Sequence, residues 1–138
     1  MASSESTSLH LTWLLSILLN KKHALKQAQE ELKVGRERWV DDHDIKDLVY
    51  LQAIVKETLR LYPPRPLAAP HEAMEDCDVC GYYVPKGTCV FVNVWRLNRD
   101  PRVWDDPDKF LPKRFLTKHA NIDASGQHFE FVPFGFGK

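Results

Sequence analysis

The sequence predicts a mainly α protein with a small β-hairpin region, an α+β fold. Three observations carry this: apolar residues recur at helical spacing in three successive stretches up to Tyr62, a cluster of prolines ends that pattern, and a short β-branched and aromatic stretch follows. At 138 residues the chain has the length of one domain with a modest core. Its 19 basic and 19 acidic side chains cancel, which removes the broad field by which nucleic acid or an anionic membrane surface is recognised.

Leu11, Leu14, Leu15, Leu18 and Leu19 mark the first helix, and Ala24, Leu25, Ala28 and Leu32 mark a second after the break at Asn20-Lys21-Lys22. The apolar run at 9–19 is well short of the roughly 20 residues that span a bilayer. Positions 1–8 carry no Lys or Arg, so neither a membrane anchor nor a signal peptide is expected in this sequence. Residues 33–39 read as a linker, and Asp41 and Asp42 are each suited to cap a short helical turn. A third helix is expected from about 48 to 62, with Leu48, Leu51, Ile54, Val55, Leu59 and Leu61 on its apolar face.

Pro63, Pro64, Pro66 and Pro70 stop that helix and impose an extended path, because proline lacks the amide donor and restricts the residue before it. Residues 82–84 and 88–92 then read as the two arms of a hairpin around Pro85-Lys86-Gly87. A short helical turn is expected after Asn93. The rest, interrupted by Pro101, Pro107, Pro112 and Pro133, is expected to be mostly irregular. An irregular stretch of that length usually serves a site or leans on a larger body, so the chain reads as part of one.

Cys77, Cys80 and Cys89 make an odd count, and no second Cys-x-x-Cys or His-x-x-x-His completes a zinc site. Cys77-Asp78-Val79-Cys80 has redox spacing, but its surroundings read as loop and strand rather than a helix N-terminus that lowers a thiol pKa. His10, His23, His43, His119 and His128 form no ligand spacing, so no metal site is expected from these residues.

Glu57 and Arg60 lie three apart on the third helix and share a face; alone, such a pair is an ordinary solvated one. Its neighbours change that reading. The run Lys56-Glu57-Thr58-Leu59-Arg60-Leu61-Tyr62-Pro63 resembles the E-x-x-R helix of the cytochrome P450 family. Phe110-Leu111-Pro112-Lys113-Arg114-Phe115 resembles the family's F-x-P-E-R-F segment, and Pro133-Phe134-Gly135-Phe136-Gly137-Lys138 resembles the opening of its haem-binding loop. Tyr83-Val84-Pro85-Lys86-Gly87-Thr88 and Arg99-Asp100-Pro101 match by position. Asp44-Ile45-Lys46, Leu48 to Lys56, and Gly126-Gln127-His128-Phe129-Glu130-Phe131 resemble plant microsomal members, family 82 among them.

The resemblance implies a partial cytochrome P450 fold over 1–138: an oxygen-activation helix, the E-x-x-R helix, the hairpin and the start of the haem-binding loop. It implies that Glu57, Arg60 and Arg114 join in a buried charge cluster locking the third helix to the loop below the haem, two guanidiniums satisfying one carboxylate. Lys113 stands where Glu is usual, so a carboxylate that would be the fourth member of that cluster is missing. Ala2-Ser3-Ser4-Glu5-Ser6-Thr7 aligns with the oxygen-activation stretch, which implies a proton relay through Glu5 and Ser6. Ser3 replaces the usual Gly there, and Ser6 replaces the usual Thr while keeping the hydroxyl. The alternative for the same residues is helix capping, with Ser4, Glu5 and Thr7 starting an apolar helix. His71 falls where members place a donor against a haem propionate, and Phe134 falls in the haem environment; a surface loop histidine is the alternative for His71.

By the same resemblance the full enzyme holds haem, receives electrons from NADPH through an NADPH-cytochrome P450 reductase, and oxidises a small lipophilic substrate at the endoplasmic reticulum membrane. The anchor for that membrane is not in this sequence, and the cysteine whose thiolate binds iron is expected beyond Lys138. A second reading, from a different class, is a non-catalytic fragment acting as an interaction module. Leu11, Trp13, Leu14 and Leu18 of the first helix are expected to lack partners in the isolated chain, which predicts low solubility or a molten state.

Overall fold

A computed structural model describes residues 2–33 and 40–134. The predicted linker at 33–39 falls largely outside the described residues, as do Gly135, Phe136, Gly137 and Lys138 of the expected haem loop. Among the described residues, four α-helices, four short strands and two 3-10 turns follow in the order α1 (Ala2–Asn20), α2 (Lys22–Lys33), a 3-10 turn (Asp44–Asp47), α3 (Val49–Leu61), β1 (His71–Glu72), β2 (Cys77–Val79), β3 (Tyr82–Val84), β4 (Cys89–Val90), α4 (Val94–Leu97) and a second 3-10 turn (Pro112–Leu116). No helix among the described residues is long and apolar enough to cross a membrane.

α1 is already running at Ala2, so Ser4 does not begin it, and the capping alternative for that stretch is set aside. Leu14 and Leu18 are buried, and pack with Ala24, Ala28, Tyr50 and Ile54 into one core cluster. The expectation that they lack partners is therefore corrected: alanines at 24 and 28 keep α2 slim enough for the leucines to reach α3. Trp13 is 41% exposed but stacks on Tyr62, ring centroids 4.4 Å apart and 12° from parallel. Leu11, Leu15 and Leu19 remain on the outer side.

α3 is the central strut. One side joins the cluster just described; the other carries Ala53 and Leu59 into a second core with Trp104, Phe115, Ile122 and Phe131. Leu48, at the α3 N-cap, has no side chain to cap it. Glu31 of α2 supplies the missing acceptor: its two carboxylate oxygens receive the Tyr50 and Leu51 amides at 2.8 and 2.9 Å. A carboxylate at a helix N-terminus satisfies orphan amides and faces the positive end of the helix dipole.

The strand region differs from the expected hairpin. β2 pairs with β3, Cys77 opposite Val84 and Val79 opposite Tyr82, whereas β4 pairs with β1, His71 opposite Val90 and Glu72 opposite Cys89. The two-residue turn is Cys80-Gly81, both at positive φ (53° and 84°), with the Gly81 amide donating to Asp78 Oδ1 at 2.8 Å. Positive φ at both central positions gives the twist that suits a tight hairpin. Pro85-Lys86-Gly87 also turns the chain, the Thr88 amide donating to the Pro85 carbonyl. Gly87 and Thr88 then bond to Ala73, which carries β4 to β1 instead of back to β3. Asp76 secures the crossing by accepting from the Lys86 amide at 2.7 Å and the Tyr83 hydroxyl at 2.9 Å, and those bonds lower its pKa.

Candidate functional site

α3 places Glu57 and Arg60 one turn apart on the face turned toward residues 98–115, and both are fully buried. Arg60 Nε and Nη2 donate to Glu57 Oε2 and Oε1 at 2.8 and 3.0 Å, a bidentate pair. Arg114, on the second 3-10 turn, donates from Nε to the same Oε1 at 3.2 Å, and the Leu111 amide does so at 2.8 Å. Sequence-distant residues thus converge on one carboxylate.

Two guanidiniums against one carboxylate leave an excess positive charge in a buried place, which would be costly if nothing else faced it. Backbone carbonyls take up the remaining donors. Arg60 Nη1 donates to the Asn98 and Pro107 carbonyls at 2.8 and 2.7 Å, and Nη2 to that of Lys109 at 3.2 Å. Arg114 Nη1 reaches the Asp105 carbonyl at 2.8 Å and Nη2 that of Asp106 at 3.3 Å. The Trp104 ring, fully buried, lies 5.3 Å from Arg60 Cζ and 5.9 Å from Arg114 Cζ, so its π face offers both cations a further electrostatic partner. Lys113 is exposed beside this cluster, whose electrostatics close on carbonyls and an aromatic face without a second carboxylate.

The end of α3 is finished by the next two residues of the same segment. Asn98 Nδ2 donates to the Arg60 carbonyl at 3.2 Å and Arg99 Nη2 to that of Leu61 at 2.6 Å, satisfying carbonyls a helix end leaves open. Burial, and then the nearby Arg60 charge, lower the Arg99 pKa, while Asp108 and stacking over Trp95 at 4.3 Å hold the guanidinium in place. Asn98, Trp104 and Glu31 were not singled out in the sequence; a large aromatic side chain inside a proline-broken irregular stretch is the one signal that could have pointed to Trp104.

The other sequence-selected residues lie on separate elements. Glu5 is exposed and Ser6 half-buried on the first turns of α1; His71 is exposed on β1; Phe134, 58% exposed, follows the buried run Phe131, Val132 and Pro133. Cys77, Cys80 and Cys89 are free and exposed on β2, its turn and β4. Among the described residues no group of three or more His, Cys, Asp or Glu is placed to hold a metal ion. A cleft of about 620 Å³ opens between α1, the end of α3 and the 108–111 loop, with Trp13, Ile17, Tyr62 and Phe110 in its wall and none of Glu5, Ser6, His71 or Phe134.

This geometry has close counterparts. The Cytochrome P450 family model matches residues 1–138, and the chain belongs to that family. Vinorine hydroxylase of Rauvolfia serpentina is 61% identical over 126 residues, 90% of this chain and 26% of that protein. Nicotine N-demethylase CYP82E3 of Nicotiana tomentosiformis is 56% identical over 99% of the chain and 26% of its own length; xanthotoxin 5-hydroxylase CYP82C4 of Arabidopsis thaliana is 55% identical over 100% and 27%. A zebra fish cytochrome P450 solved with progesterone superposes with a TM-score of 0.84 at 38% identity, covering 99% of this chain and 30% of that one. The chain spans about a quarter of the length of the curated relatives it matches. The fold is thus part of the cytochrome P450 fold, and the relatives named above as family 82 members are plant proteins.

Proposed function

We propose that the chain is part of a haem-dependent monooxygenase that inserts one atom of dioxygen into a small lipophilic substrate of the plant secondary-metabolite type, with electrons from NADPH through a reductase. The observation that carries this is the buried Glu57, Arg60 and Arg114 cluster, assembled from two motifs of the family at hydrogen-bonding distance. The hydroxylases and the demethylase among its plant relatives support oxidation of a small organic substrate; the reductase rests on resemblance to the family alone. Resemblance to plant microsomal members supports a location at the endoplasmic reticulum membrane.

The residues present suit the haem periphery. Phe134 offers an exposed aromatic face at the end of a buried apolar run, the surface an apolar macrocycle needs. His71 offers an exposed imidazole suited to a propionate. The iron's thiolate is not assigned to Cys77, Cys80 or Cys89, which lie on β2, the β2–β3 turn and β4. When bound, the haem supplies the centre at which dioxygen is activated. Glu5, exposed on α1, exchanges protons with solvent, and Ser6, its neighbour and half-buried, hands a proton inward through its hydroxyl. The charge cluster touches no reacting atom; it holds residues 98–115 on α3.

The test is to express the complete coding sequence with a reductase and record a reduced carbon monoxide difference spectrum and product formation on alkaloid and coumarin-type substrates. A thiolate-type band with NADPH-dependent oxygenation is expected. A complete protein that takes up no haem favours the non-catalytic reading.

A further inference from the structure

Lys113 puts a positive charge where the family usually has a carboxylate, and the second 3-10 turn carries it against the first half of α2. Two clefts open there, of about 240 and 330 Å³, and His23 and Lys113 line both. Lys21 joins them in the first cleft and Lys26 in the second, and all four side chains are exposed. Among the described residues the carboxylate in these walls is Glu30, which lies 3.8 Å from Lys26. The other lysine ion pairs among them are made elsewhere, by Lys109 and Lys118. Lys21 and Lys113 therefore line one cleft without a carboxylate between them, in a protein whose formal charge is zero. Like charges on facing walls repel, and an anion between them replaces that repulsion by two attractions.

The other part of the first cleft is of a different character. Tyr50, Phe110 and Pro112 give it an apolar wall. Its volume is below that of a drug-sized site, so the body it takes is a single ring or a short chain.

We propose that α2 and the second 3-10 turn form a binding site for a phosphate monoester with a small apolar body. The phosphate lies between Lys21 and Lys113, with a ring N–H of His23 as a further donor, and the body rests on Tyr50, Phe110 and Pro112. Lysine suits this role because its ammonium binds phosphate as a point charge with three donors and needs no fixed planar geometry. A phosphate monoester carries about two negative charges at neutral pH, which matches two lysines; a carboxylate matches one. The bound ligand ties the turn that carries Arg114 to α2. The same chemical group occurs on soluble esters and as the headgroup of phosphatidate.

Phenyl phosphate titrated into the full 138-residue chain at neutral pH, followed by amide NMR, tests it. The amides of residues 21–26, 50 and 110–113 should shift in one saturable step, with tighter binding than phenol or inorganic phosphate, each of which supplies half of the ligand. Lys113→Glu restores the family's usual residue and should weaken binding by about tenfold or more, because repulsion replaces attraction. Lys21→Gln removes the charge on the opposite wall and should weaken it by a smaller factor, so the outcome does not hang on one variant. Lys86→Glu makes the same change in net charge at an exposed position of the β region and should leave binding as it was. Phosphatidylcholine vesicles with and without phosphatidate separate the two sources. Co-sedimentation that requires phosphatidate and is lost in Lys113→Glu assigns the site to a lipid headgroup; phenyl phosphate binding without it assigns the site to a soluble ester. Equal affinity for phenyl phosphate in the unaltered chain and Lys113→Glu overturns the proposal. So do shifts spread over the lysines outside these clefts, or the absence of both a saturable shift and phosphatidate-dependent sedimentation.

Discussion

Residues 98–115 and residues 71–92 are alike in having little regular structure, but they are held in opposite ways. The first segment lies against α3 with its carbonyls turned inward onto two buried guanidiniums, and Trp104 fills the space between them. The second consists of two-stranded pairs whose side chains are largely exposed, Tyr82 at 77% and Met74 at 88%. An irregular chain can thus be fastened as firmly as a helix when its backbone acceptors are consumed by fixed charges, while paired strands without a covered face stay open to solvent. Perturbations should therefore be felt globally in the first segment and locally in the second.

Replacing Glu57 with Ala is expected to have the largest effect, because it leaves Arg60 and Arg114 buried without a counter-charge; such losses cost about 3–5 kcal/mol. Urea titration should show a cooperative transition shifted by that amount or abolished. Trp104→Ala removes a fully buried indole and the face shared by both guanidiniums, with a loss of similar or slightly smaller size, about 3–4 kcal/mol; Trp104→Phe should recover part of it. Glu31→Ala strips the cap from α3 and should cost about 1 kcal/mol, seen in the same titration.

On the open side, Gly81→Ala meets no atom within 4 Å, so the penalty is the positive φ alone, about 1 kcal/mol, confined to the β2–β3 hairpin. Hydrogen exchange should then rise in 77–84 and not in α3. The smallest effect at neutral pH belongs to His119, which packs on Trp104 at 4.4 Å. Burial first, then Lys118 and Arg114, lower its pKa. The unfolded state therefore takes up a proton that the folded state refuses. Stability is unaffected above the unfolded value of about 6.5 and falls as pH drops from there toward the lowered folded value. His119→Phe should flatten that part of the stability–pH curve while leaving the contribution of His10, itself lowered by burial, in place.

The helices were legible because their signals are local: apolar periodicity marked α2 and α3 within a residue or two and the later part of α1, whose start at Ala2 carries no apolar stripe, and the ordered motifs marked Glu57, Arg60 and Arg114. What completes the cluster was not, since the carbonyls of Asn98, Asp105, Asp106, Pro107 and Lys109 carry no side-chain signature. Glu31 was hidden for a related reason: a cap supplied from another helix leaves no pattern beside the end it caps. The strand pairing was misread because Pro85-Lys86-Gly87 is the stronger turn signal, whereas Cys80 adopts the left-handed region without being the residue type that usually does. Leu14 and Leu18 were expected to be uncovered; the pair of small alanines on α2 is what covers them.

The direct test of the charge-fastened segment is native-state hydrogen exchange at Leu111, whose amide sits in irregular chain and donates to Glu57 Oε1. It should exchange as slowly as the α3 amides that open only on global unfolding, and lose that protection in Glu57→Gln, while the Gly81 amide exchanges quickly in both proteins. A Leu111 amide that exchanges as fast as Gly81 in the unaltered chain would contradict the claim that buried charge holds this segment to α3.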